Sequence, residues 1–99
     1  MVLLVNKMTV TGDPAEFLRI TEALTDFMRR QPGYIRYQLL HSLRNENVYV
    51  EIALWDKAES HLSAVQSDGF RERVSGLGAV ATVDPDVYEV IREGETILA

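Results

Sequence analysis

The spacing of apolar residues switches along the chain between a period of two and a period near 3.6, and the order of those switches limits the folds open to it. "MVLLVNKMTV" reads as a strand rich in Val and Leu. In "TGDPAEF", Asp13 is placed to cap a helix and Pro14 to occupy its first position, where a missing N–H is no loss. Phe17, Ile20, Leu24, Phe27 and Met28 then form one stripe, with Glu16, Arg19, Glu22, Asp26 and Arg29 largely off it. "RQPGY" ends the helix, because Pro32 disfavours helical geometry at Gln31 and Gly33 supplies a turn. "YIRYQLLHSL" and "VYVEIALW" are strands joined by the polar "RNEN", an antiparallel hairpin. "DKAESHLSAVQS" restarts a helix, with Asp56 as its cap and Ala58, His61, Leu62 and Val65 on one face; "DGFRERVSGLG" reads as its broken continuation carrying Phe70, Val74 and Leu77. "VDPDVYEVI" is the last strand, and "REGETILA" a tail able to reach a neighbour.

Strand, helix, strand, strand, helix, strand is the order of the ferredoxin-like split βαβ arrangement, an α+β fold with two helices on one face of a four-stranded antiparallel sheet. One such domain is expected over residues 1–99. The other face of the sheet is left bare. On the third strand Val48, Val50, Ile52 and Leu54 point one way while Tyr49, Glu51, Ala53 and Trp55 point the other, so neither face is wholly polar. An apolar second face is a large exposed patch on a small monomer. Two sheets are therefore expected to pack face to face as a homodimeric α+β barrel.

Composition narrows the function. With no cysteine, disulfides, thiolate catalysis, Cys-ligated zinc and iron–sulfur clusters drop out. A net charge of -5 with no longer basic run than "MRR" argues against nucleic acid, which needs clustered positive charge. There is no membrane-length apolar segment, and "MVLLV" is too short for a signal-peptide core, so a cytoplasmic location is expected. No GxGxxG, P-loop or metal-ligand spacing is present.

Three residues stand out against this background. Asn6 shares an otherwise apolar strand face with Val2, Leu4, Met8 and Val10, and an amide there costs about 1–3 kcal/mol unless hydrogen-bonded. Trp55 ends the third strand, and His61 projects from the helix covering the same sheet face. Each alone reads as packing. Together they point to a greasy pocket lined by Leu4, Met8, Phe17, Ile20, Leu24, Phe27, Leu62 and Val65, with an indole N–H, an amide and an imidazole as its polar groups: the anatomy of a site for a flat apolar ligand. Tyr37, Tyr49, Arg36, Phe70 and Arg73 are further candidates, Arg73 as a gate or a partner for an acidic ligand. His41 reads as a solvated or dimer-edge residue.

"VNKMTV", "QPGYIRYQLL", "VYVEIALWDKAESH" and "SDGFRERV" resemble the antibiotic biosynthesis monooxygenase family of dimeric α+β barrels, over nearly the full chain. The family includes cofactor-free oxygenases of aromatic polyketides, quinol oxygenases and haem-degrading enzymes. Haem-degrading members are similar at Asn6 and Trp55 but draw their iron ligand from a histidine shortly after the position of Phe70, where this chain reads "FRERVSGLG". The resemblance thus implies the cofactor-free branch, an enzyme working without haem, flavin or metal on a small aromatic substrate and O2.

That chemistry needs a base, oxyanion donors and a dry cavity. An anthrone or hydroquinone carries acidic hydrogens, and its anion can reduce dioxygen directly. His61 is the best-placed base near neutral pH, with Asn6 and the Trp55 N–H to stabilise the enolate or phenolate. A polyketide cyclase steering an aldol closure, or a non-catalytic dimer binding an aromatic ligand, would use a similar cavity. Oxygen consumption separates the first reading from both.

Overall fold

A computed structural model describes residues 1–98. In chain order the elements are β1 (Val2–Val10), α1 (Pro14–Met28), β2 (Tyr34–His41), β3 (Val48–Trp55), α2 (Ala58–Val65), α3 (Asp68–Val74), a 3-10 turn (Leu77–Ala79) and β4 (Ala81–Glu89). The strands form one antiparallel sheet in the order β2-β3-β1-β4. This is the expected ferredoxin-like α+β architecture. Among the described residues no helix is long and apolar enough to cross a membrane.

Local chemistry sets most boundaries. Asp13 caps α1, its carboxylate accepting the Ala15 N–H at 3.1 Å, with Pro14 beginning the helix. Beyond β2, Ser42 Oγ accepts the N–H groups of Arg44 and Asn45, a turn that stops the strand two residues short of the sequence reading. β4 spans 81–89 rather than 83–91, because its pairing with β1 begins at Ala81 opposite Val10. Pro85, which cannot donate to a ladder, is tolerated because β4 is an edge strand.

Three expectations in the second half need correction. Asp56 does not cap α2; the helix starts later, after Lys57 and without a side-chain cap. Asp56 is held elsewhere: its N–H donates to the Gly33 carbonyl at 2.8 Å, in the turn after α1. The segment after Val65, expected as a broken continuation of α2, is a separate helix, α3, capped by Ser67, whose Oγ accepts the Phe70 N–H at 3.2 Å. Leu62 falls off the covered face of α2 and is exposed, while Ala64 is buried.

The packed face of the sheet carries Leu4, Asn6, Met8 and Val10 from β1 and Tyr49, Glu51, Ala53 and Trp55 from β3, in a register that sets Asn6 opposite Glu51 and Met8 opposite Tyr49. Its core divides into two clusters. Met8, Val10, Phe17, Ile20, Leu77 and Ala81 pack at one end; Met28, Ala53, Trp55 and Ala64 pack at the other. Fully burying a side chain such as Phe17 or Met8 stabilises the fold by about 1.5–3 kcal/mol. On the opposite face Leu3, Val5, Val48, Val50, Ile52 and Leu54 stay half-buried with no helix over them, and Leu40 on β2 is exposed.

Gly33 ties this fold to α2. It adopts φ 89°, and a Cβ there would collide with Asp56 Oδ1 and with the side chain of Ser60, the residue before His61. Gly33→Ala should therefore cost about 1–3 kcal/mol for the left-handed backbone alone, with the clash added. Gly78→Ala, which meets nothing within 4 Å, is the control. In urea titrations the first variant should unfold at clearly lower denaturant and the second close to the parent; equal midpoints would refute this role for the turn.

Candidate active site

The gap between the two core clusters is a cavity of about 270 Å³, near the lower limit of ligand pockets. Its floor is the middle of the sheet: Leu4, Asn6 and Met8 of β1, Glu51 of β3, Val83 and Pro85 of β4. From α1 come Thr21, Leu24, Thr25 and Met28. His61 and Val65 of α2, Phe70 and Val74 of α3, and Leu77 close it.

Its position follows from which residues stand mid-element. α1 begins with Phe17 and Ile20 in one cluster and ends with Met28 in the other, and between them it presents two threonines on its buried side. Thr21 bonds back to the Phe17 and Leu18 carbonyls at 3.0 and 3.2 Å, so its hydroxyl is satisfied inside the helix. Asn6 and Glu51 interrupt β1 and β3 at the same register. Short or polar side chains at that level leave space that Phe or Leu would fill.

The polar groups have distinct environments. Asn6 Oδ1 accepts the Asp84 N–H at 3.2 Å; because that partner is a donor, the amide orientation is fixed and its NH2 remains as the donor. Burial holds the His61 imidazole below the usual histidine pKa, so it is neutral at pH 7. Burial pushes the Glu51 carboxyl above the usual carboxylate range, against the opposing pull of a long 3.5 Å bond from Thr25 Oγ1. The site therefore combines a neutral imidazole, a primary amide and a carboxyl inclined to keep its proton, in an otherwise apolar wall.

Of the residues singled out from sequence, the structure brings Asn6, His61, Leu4, Met8, Leu24, Val65 and Phe70 to this wall. Trp55 is one layer behind it. Its ring is fully buried, meets His61 edge to face with centroids 5.5 Å apart, and shares a cluster with the wall residue Met28. Its Nε1 and the Tyr34 hydroxyl are buried without an acceptor or donor among the described residues, their rings meeting edge to face at 5.0 Å. Such unpaired groups are rare and costly, about 1–3 kcal/mol each.

The remaining candidates lie off the wall, each for a physical reason. Phe17 and Ile20 are consumed by the core cluster around Met8. Phe27 packs on the Gly69 backbone of α3 and is covered by the Arg73 guanidinium, 4.5 Å from its centroid, which accounts for both residues. Tyr49 packs on Phe17 and stacks with the exposed His41 at 4.2 Å. Tyr37 lines a separate groove between α1 and β2, Leu62 is 52% exposed, and Arg36 lies on the open face near the chain ends. Sequence reading passed over Glu51, Thr21 and Thr25. The signal for Glu51 was present, a carboxylate on the strand face that also carries Trp55.

A model of the family described as antibiotic biosynthesis monooxygenase matches residues 1–75. The chain is 34% identical over 87 residues to deoxynogalonate monooxygenase of Streptomyces nogalater, covering 88% of this chain and 74% of that protein. The crystal structure of SnoaB, a cofactor-independent oxygenase from Streptomyces nogalater, superposes with a TM-score of 0.88 at 33% identity, over 93% of this chain and 94% of that one. A Pseudomonas aeruginosa protein at 22% identity and TM-score 0.73, over 90% and 93% of the two chains, shares the fold. The chain belongs to the antibiotic biosynthesis monooxygenase family.

Proposed function

We propose that this protein is a cofactor-independent monooxygenase that oxidises a polycyclic aromatic substrate of the anthrone or hydroquinone type to a quinone with O2. The observation that carries this reading is the cavity itself, apolar over most of its wall, with a neutral imidazole and an amide donor beside it. The kinship with deoxynogalonate monooxygenase and a cofactor-independent oxygenase supports the reaction class. In this reading His61 removes a proton from the activated carbon, and the resulting carbanion supplies the electrons that reduce O2. The Asn6 NH2 stabilises the developing oxyanion, where preorganised donors are most effective. Trp55 supplies a second donor from behind the wall; its unpaired Nε1 supports that role.

The same reading has the protein work as a homodimer. The uncovered sheet face carries Leu3 and Val5 of β1 and Val48, Val50, Ile52 and Leu54 of β3, with Lys7 and Thr9 at one end, and pairing it with a second copy would remove the apolar side chains from water. Light scattering at micromolar concentration should give twice the chain mass, and Ile52→Glu on that face should shift the protein to monomer. A monomeric parent would refute the assembly.

The catalytic assignment is tested with anthrone under air, following oxygen uptake and quinone absorbance on variants of verified fold. His61→Ala should lower the rate about 10²–10⁴-fold, and Asn6→Ala about 10²–10³-fold. Their double variant should be scarcely slower than the poorer single one, because groups acting as a unit are not additive. Trp55→Phe, which keeps an aromatic ring but deletes the N–H, should lose about 10²-fold. Three folded variants at the parental rate would reduce the constellation to packing.

The acid limb of kcat/KM reports the base. A base must be unprotonated, so activity should rise with pH through a midpoint below the ordinary histidine value of about 6.5, the direction in which burial moves His61. A midpoint above that value would remove His61 from the role.

A further inference from the structure

We propose that Glu51 is the general acid that completes the oxygenase site, protonating the peroxide that forms on the substrate while His61 serves as the base. The inference rests on the oxygenase reading above and assigns a role to the cavity group that reading leaves unused. Glu51 stands on the floor directly opposite Asn6 in the β1–β3 register, so any ligand oxygen within reach of the amide is near the carboxyl as well. A half-buried carboxyl whose single side-chain partner among the described residues is a threonine at 3.5 Å is poorly satisfied for a structural group. Replacing it by Leu would fill the cavity with carbon at no polar cost.

Its surroundings suit an acid rather than a second base. The titratable groups facing it are His61 from α2, Tyr34 and Tyr37 from β2, and Glu22 from α1 across the neighbouring groove; Arg29 lies outside, over the Tyr37 ring. Among the described residues the neighbouring guanidinium of Arg29 is thus directed elsewhere, and burial shifts the carboxyl toward its protonated form. Two titratable groups in one cavity whose environments push them in opposite directions divide naturally into base and acid. The groove between α1 and β2 shares Thr21, Thr25 and Glu51 with the cavity, so the carboxyl also has a route for exchange with solvent protons.

The steps balance without any other reactant. His61 takes one proton from the substrate methylene; the carbanion and O2 form a C–O bond, leaving a peroxide anion. Glu51 gives that anion its proton. The Glu51 carboxylate then removes the second proton from the same carbon as the O–O bond breaks and C=O forms. The departing hydroxide takes the proton held on His61 and leaves as water, restoring both groups.

The test is the pH–rate profile of anthrone oxidation for the parent, Glu51→Gln and Glu51→Asp, each checked for fold and assembly. The parent should give a bell, rising as His61 loses its proton and falling as Glu51 loses its own. Glu51→Gln should be slower by about 10²-fold or more with KM little changed, and should lose the alkaline fall alone. Glu51→Asp should keep that fall. A protonated-carboxyl infrared band at pH 7 should be present in the parent and absent from Glu51→Gln. A folded Glu51→Gln with the parental rate and both limbs, or a parent without that band, would overturn the assignment while leaving the oxygenase reading intact. A parent inert toward anthrone would overturn the oxygenase reading itself, and this inference with it.

Discussion

The architecture of this protein depends on an interruption of its core at one level. Four core-facing positions that could each carry a large apolar side chain carry Asn6, Thr21, Thr25 and Glu51 instead, and the first and last face each other across the central strand pair. The apolar residues on either side of that level close up as separate clusters. The fold gives up dispersion and hydrophobic stabilisation there and leaves a carboxyl half-buried, an arrangement that favours a ligand over stability. Stability then rests on the two ends, where Phe17, Met8 and Trp55 are fully buried.

Because the interruption lies between rigid ends, the polar groups on it are well positioned. Asn6 is fixed by a backbone donor from β4, and His61 is held edge-on by Trp55, itself packed against Tyr34. The turn at Gly33 draws Asp56 and α2 against the end of α1, so the local geometry of "QPGY" reaches the imidazole through Ser60. Environment does the rest. The same burial that lowers the basicity of His61 disfavours ionisation of Glu51, moving the two side chains in opposite directions from their ordinary pKa values.

Much of this was legible in the sequence. The period changes gave the element order, β3 had the bounds read from "VYVEIALW", and the proline after Asp13 marked the start of α1. Asn6 and His61 were visible as polar residues on apolar faces. What stayed hidden needed distances between elements. Thr21, four residues after Phe17, and Thr25, three before Met28, lie along the apolar stripe by spacing and were passed over, and Glu51 gains meaning only when the register sets it opposite Asn6. Trp55 was expected at the wall, yet whether a strand-end ring meets a ligand or backs a neighbour depends on how far α2 approaches. Leu62 was misplaced because α2 turns His61, Ala64 and Val65 inward, which leaves Leu62 on its outer side.

The account is tested most directly by a crystal structure of the protein grown with 9,10-anthraquinone, the product expected from anthrone. It predicts the ring system lying in the gap between the two clusters, over Leu4 and Met8, with one quinone oxygen about 3 Å from the Asn6 amide nitrogen. Quinone bound only outside that gap, with the space between the clusters empty or closed by repacked side chains, would contradict it.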